Sequence, residues 1–224
     1  MKLFGIIGAG GFSREVMPLA DAMLKKRYSD SNYQLVFVDE NIGPETIVNQ
    51  HRVISLNDFM SHSAKEKYFN IAIAKQDVRQ RIAESMILNG IVPFSIRAEN
   101  SIELANNQID EGAIFCPFTM VTSNVKIGKF FHANIYSYVA HDCIIGDYVT
   151  FAPNVHCNGG VIIEDGAYLG TGVIIKQGTQ DRPIVIGQGA VCGMGAVITK
   201  SVPPFETVVG NPAKALVVKD MING

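Results

Sequence analysis

The sequence predicts a two-part fold: a small α/β domain on a mostly parallel sheet, then a β-solenoid with three flat faces. Three observations predict it. Over residues 1–97, short apolar runs alternate with stretches of helical spacing. From Ile109 onward, an apolar residue returns at every sixth position. A glycine turn, G-A-G-G at 8–11, follows the first apolar run directly. The domains read as 1–97, a connector at 98–108, and 109–224.

Residues 3–7, L-F-G-I-I, predict the first strand. Residues 13–27 set Val16, Leu19, Ala20, Met23 and Leu24 near helical spacing, with Lys25, Lys26 and Arg27 at the end where a helix dipole favours cations. Pro18 is expected to bend the early part of this helix. L-V-F-V-D at 35–39 is a strand ending in an acid, and 55–62 a short helix. F-N-I-A-I-A at 69–74 reads as an alternating or a buried strand. Residues 76–89, with Val78, Ile82, Met86 and Leu88, form a helix, and I-V-P-F-S-I at 91–96 closes the domain.

The second half is written in hexads: IDEGAI, FCPFTM, VTSNVK, IGKFFH, ANIYSY, VAHDCI, IGDYVT, FAPNVH, CNGGVI, IEDGAY, LGTGVI, IKQG. First positions run Ile109, Phe115, Val121, Ile127, Ala133, Val139, Ile145, Phe151, Cys157, Ile163, Leu169, Ile175, and fifth positions are small or β-branched. The register holds from 109 to 178, breaks at T-Q-D-R-P (179–183), and resumes as IGQGAV, CGMGAV. Three hexads, 18 residues, make one coil. First and fifth positions point inward, and Gly and Asp tolerate the corners. A β-sandwich would alternate with period two at variable spacing, which this register opposes.

Composition narrows the partners. Lys+Arg number 19 and Asp+Glu 21, for a net charge of −2, so no basic stripe argues for nucleic acid. No apolar run is long enough to span a membrane, and no secretory signal is visible, so the cytoplasm is the expected compartment. Cys116, Cys143, Cys157 and Cys192 form no C-x-x-C pair. Cys143, Cys157 and Cys192 fall on inward positions and are expected in the core.

In the first domain, Gly8, Gly10 and Gly11, with Phe12 and Ser13, form a strand-to-helix turn that can approach a phosphate closely. Asp39 ends the second strand, where an acid often reads a ribose hydroxyl. That placement alone suggests NAD. However, the sixth place of G-x-G-x-x-G is Ser13, and the domain is short for two mononucleotide halves. Ala74 and Lys75 follow the next strand and line the same pocket.

In the solenoid, His132 and His156 hold sixth positions, while His141 holds the third, at a corner where side chains project outward. An imidazole has a pKa near 6.5, suited to moving protons at neutral pH. Asp142 follows it and can converge on the ring at a corner. Three histidines at such different positions do not converge on zinc, and no metal site is expected.

These hexads, the ending E-T-V-V-G-N-P-A-K-A-L at 206–216 and the opening G-A-G-G-F resemble the hexapeptide-repeat acyltransferases. The whole chain is most similar to their sialic-acid O-acetyltransferase and UDP-amino-sugar N-acetyltransferase group. The resemblance implies a Rossmann-like N-terminal domain, a left-handed parallel β-helix, and a homotrimer with acetyl-CoA between neighbouring solenoids. It implies acetyl transfer to the 4-amine of a UDP-linked amino-deoxysugar in bacterial glycan assembly. The UDP-sugar would sit on Gly8, Gly10, Gly11, Phe12, Ser13, Asp39, Ala74 and Lys75. The stretch N134-I-Y-S-Y-V-A-H141-D142-C-I-I-G146 matches the family's catalytic motif. His141 becomes the general base, Asp142 its partner and Asn134 an acceptor-binding candidate. Gly159, Gly170, Gly193 and Gly195 offer backbone groups to the pantetheine amides, and Gly159 lies one coil above His141. Lys200 and Lys214 are candidates for the phosphates, and His156 for the donor. Thr150 stands where some relatives carry a second histidine. The alternatives are O-acetylation of a sialic acid or other sugar hydroxyl, and a non-catalytic assembly module.

Overall fold

The computed structural model describes residues 1–28, 32–41 and 46–217. The part of the tail at 218–224 lies outside these residues. The first domain contains β1 (Lys2–Ile7), α1 (Gly11–Arg27), β2 (Tyr33–Val38), β3 (Ile47–Val48), β4 (His51–Ile54), α2 (Leu56–Ser61), β5 (Glu66–Ile71), α3 (Gln76–Leu88) and β6 (Val92–Pro93). The sheet order is β3-β4-β2-β1-β5-β6, parallel except for the β3–β4 hairpin. Helix α1 runs on through Pro18. β5 ends at Ile71, three residues before the expected end of that strand, so Ala72–Ala74 belong to the turn leading into α3.

The second half is a left-handed parallel β-helix with three sheets. Face one carries strands such as His132–Ala133, face two Tyr138–Val139, and face three Ile144–Ile145. Each strand pairs with the one 18 residues on: His132 with Thr150, Tyr138 with His156, Ile144 with Ile162. First and fifth positions fill a continuous core from Ala113 to Val208. Fourth positions turn the corners in the left-handed region: φ is +61° at Tyr136, +60° at Asp142 and +57° at Tyr148. The 179–183 insertion leaves the stacking intact, because Ile162 pairs with Val185 and Tyr168 with Val191.

The rod starts earlier than the hexads indicated. Ile96–Arg97 pairs with Ile114–Phe115, Ile102–Glu103 with Met120–Val121, and Gln108–Ile109 with Lys126–Ile127. The expected connector, 98–108, is therefore most of a first coil. Its inward positions are Arg97 and Glu103, which form an ion pair at 2.8 Å, with the guanidinium 4.3 Å from the Phe115 ring centre. A charged pair thus closes the open end of the apolar column, and this is what hid the coil from an apolar repeat.

The two domains share cores. Outward residues of face one, Ile96 and Ile114, pack with Val16, Met17 and Ala20 of α1. Phe130 and Tyr148, on the corner after face three, pack with Ala83 and Met86 of α3, and Phe130 stacks on Phe69 at 5.8 Å.

Candidate active site

His141 sits where the chain leaves face two for face three. The left-handed turn at Asp142 brings two adjacent side chains together, with His141 Nδ1 2.7 Å from Asp142 Oδ2. Both side chains are about half exposed, at 54% and 58%. A carboxylate only accepts, so Nδ1 carries the proton and Nε2 the lone pair. One coil below, Asn124 Nδ2 donates to Asp142 Oδ1 at 3.2 Å. The hydrogen bond from His141, and then that from Asn124, hold the Asp142 carboxyl below its ordinary value. Asn124 was not singled out from the sequence. The signal was its 18-residue offset from Asp142.

One coil above, Gly159 lies directly against the ring. A Cβ there would fall 2.5 Å from His141 Cε1 and 2.6 Å from Nε2. The missing side chain is what admits the imidazole. The Gly160 N–H donates to His141 O at 3.0 Å, fixing the backbone beneath. A cleft of about 540 Å³ opens beside the ring, walled in part by Lys126, Gly178 and the first residues of the insertion, Thr179 and Gln180. Cys143, Cys157 and Cys192 are fully buried.

The other solenoid candidates divide between two corners. The register stacks Ser123, His141, Gly159, Gln177 and Lys200 in one column after face two. Asn134, Gly170 and Gly193 stack in the column after face one, with Gly195 beside them. Asn134 Nδ2 donates to Phe151 O at 2.9 Å. Within one chain, Asn134 and these three glycines are therefore not brought to His141. His156 lies on face two between the corners, its ring stacked on Tyr138 at 4.9 Å and its Nε2 3.0 Å from Asn154 Oδ1. Lys214 is in the closing hairpin. Thr150 is buried and accepts a hydrogen bond from Arg79 at 3.0 Å.

In the first domain, Gly8 takes φ +101°, and the Ala9 N–H donates to Asp39 Oδ2 at 2.9 Å. The Asn41 N–H donates to the other oxygen at 2.8 Å. Asp39 thus braces the glycine turn with its own carboxylate. Helix α1 begins with no side-chain cap and no acid in its first turn, and a Cβ at Gly10 or Gly11 would touch nothing within 4 Å. The start of the helix is thus uncapped by any side chain and unobstructed at its two glycines, as an anion site requires. A pocket of about 270 Å³ joins Gly8, Asp39 and Glu40 to Arg81 of α3, a cation that only the fold brings there. Ala74 and Lys75 instead line a second cleft, of about 500 Å³, against Thr150 and Tyr168 of the rod. Two more of the expected residues make contacts inside the protein. Ser13 is buried, its hydroxyl donating to Ala72 O at 3.1 Å, so it ties α1 to the turn after β5. Phe12 packs on His132 at 5.2 Å, at the seam between the domains.

Comparison with known proteins follows the same division. Residues 4–86 match the model of the PglD N-terminal domain. The GDP-perosamine N-acetyltransferase of Escherichia coli O157:H7 is 51% identical over 96% of this chain and 97% of its own. WeeI from Acinetobacter baumannii AYE superposes with a TM-score of 0.92 at 50% identity, covering 96% of this chain and 100% of that one. The acetyltransferase domain of PglB from Neisseria gonorrhoeae FA1090, solved in complex with acetyl coenzyme A, gives 0.86 at 26% identity, covering 96% and 98%.

Proposed function

The chain belongs to the hexapeptide-repeat sugar acetyltransferases, and on that premise we propose that it moves the acetyl group of acetyl-CoA to the amine of a nucleotide-linked amino sugar, with His141 as general base. The observation that carries the reading is the His141–Asp142 pair on an exposed corner, seated on the bare Cα of Gly159.

The chemistry follows from the tautomer. Asp142 accepts from Nδ1–H and leaves the Nε2 lone pair to take a proton from the amine. The amine nitrogen attacks the thioester carbonyl, and the N–C bond forms as the carbonyl pair moves to oxygen. Collapse of the tetrahedral species breaks the C–S bond, and the proton held on Nε2 is available to the departing thiolate. The thioester is already activated, so no acyl-enzyme is needed. Asp142 stays ionised and stabilises the imidazolium that forms in between.

The donor binds across subunits of a homotrimer. In one chain the glycine column of Gly170 and Gly193 and the His141 column lie on different corners. A neighbouring rod would bring one chain's glycines to another's imidazole. Lys200, above Gln177 in the His141 column, is then placed for a donor phosphate.

The first domain holds the acceptor's nucleotide, with the diphosphate at the start of α1 and near Arg81. The 51%-identical relative, a GDP-perosamine N-acetyltransferase, supports a GDP-linked amino sugar of the perosamine kind over the UDP-linked acceptor expected from the sequence. The same relative supports an amine over a hydroxyl acceptor. Measuring thiol release from acetyl-CoA with GDP- and UDP-linked amino sugars and with sialic acids tests this. Turnover with the GDP-linked amine is expected, and release only with a hydroxyl acceptor would overturn it.

A further inference from the structure

Arg79, in the first turn of α3, is fully buried, yet no carboxylate among the described residues pairs with it. Burial lowers its pKa to about 9. Its charge is met by dipoles from two sides. Nη1 donates to Ile73 O at 2.8 Å and Ala74 O at 3.2 Å, both in the turn after β5. The same nitrogen lies 3.2 Å from His132 Nδ1, while Nη2 donates to Tyr148 O and to Thr150 Oγ1, all on the rod. His132 Nε2, 2.9 Å from Ile71 O, donates its proton back to the end of β5.

The turn held in this way is a shared wall. Ile73 faces the pocket of Gly8 and Asp39, and Ala74 and Lys75 face the cleft against Thr150 and Tyr168. A helix packed only on its own sheet would fix this turn relative to β5. The guanidinium also fixes it relative to the rod, through a planar fork that lysine cannot reproduce. We infer that Arg79 is a positioning residue, which sets the acceptor-binding turn at one height against the β-helix. The inference rests on the reading that the first domain binds the nucleotide sugar. It assigns Arg79 to acceptor geometry and leaves donor binding independent of it.

The test uses the full chain with Arg79→Lys and Thr150→Val, varying acceptor and acetyl-CoA separately, with light scattering to check assembly. Arg79→Lys is expected to raise the acceptor KM about tenfold, and Thr150→Val about threefold, with the acetyl-CoA KM changed less than about twofold. A merely structural role would lower the active fraction, and so kcat alone. Unchanged acceptor KM in the variants, or equal rises in both KM values, overturns the proposal. If Arg79→Lys does not fold, Thr150→Val decides. If the wild-type chain acetylates no nucleotide sugar, the functional reading falls and this inference with it. An active wild type with insensitive variants sinks this inference alone.

Discussion

His132, on a face, and His141, on a corner, sit half a coil apart in one rod, and their surroundings are opposite. His141 is half exposed, beside a carboxylate and under a glycine. His132 is fully buried, between a guanidinium and a carbonyl oxygen, and burial together with Arg79 holds its pKa well below 6.5. The residue type is the same. The hexad position, third or sixth, and what packs over it decide whether the ring stands open at a cleft or closes a seam.

Substitution at each ring sharpens the contrast. His141→Ala should lower kcat by about 10²–10⁴-fold with assembly unchanged, read by steady-state thiol release and light scattering. Near-wild-type turnover would make the two rings equivalent. Gly159→Ala comes next. Its Cβ would collide with the ring, and the displaced imidazole should cost about 10²-fold in kcat, while unfolding in urea shifts little.

For His132 the expected signal is in stability. Between its lowered folded pKa and the ordinary 6.5, the unfolded chain holds a proton that the folded chain does not. Its contribution is therefore complete above 6.5 and shrinks as the pH falls below that value, by up to about 1.4 kcal/mol per pH unit. Urea unfolding at neutral and mildly acid pH, compared with His132→Gln, isolates this slope. Equal slopes in the two proteins would remove the contrast. The smallest effect is expected for Asn124→Ala. It should raise the Asp142 carboxyl toward its ordinary value by NMR titration and lower kcat/KM about threefold, an exposed hydrogen bond to a charge being worth little more.

What the sequence disclosed follows from how each feature is encoded. The rod is a local repeat, so Ile109 to Ile175 declared their own stacking, and the pairing of His141 with Gly159 followed by counting. The first coil was missed because Arg97 and Glu103 stand where apolar residues were sought. The β3–β4 hairpin is too short to show a period. Ser13 and Phe12 read as ligand contacts because the motif places them beside a phosphate turn. Only the packing of β5 and the rod against α1 reveals that Ser13 is buried and that Phe12 rests on His132. Arg79 gave no signal at all. A buried guanidinium bound to backbone carbonyls depends on tertiary contacts that no spacing records.

The five residues at 179–183 pass through the rod without shifting any strand above them, and the segment they form borders the cleft at His141. The scaffold therefore has editable slots. Chain can be spliced in at a bend while the stacked layers on either side keep their alignment. The mouth of that cleft can then be recast by lengthening one protrusion, with no re-cutting of the interior.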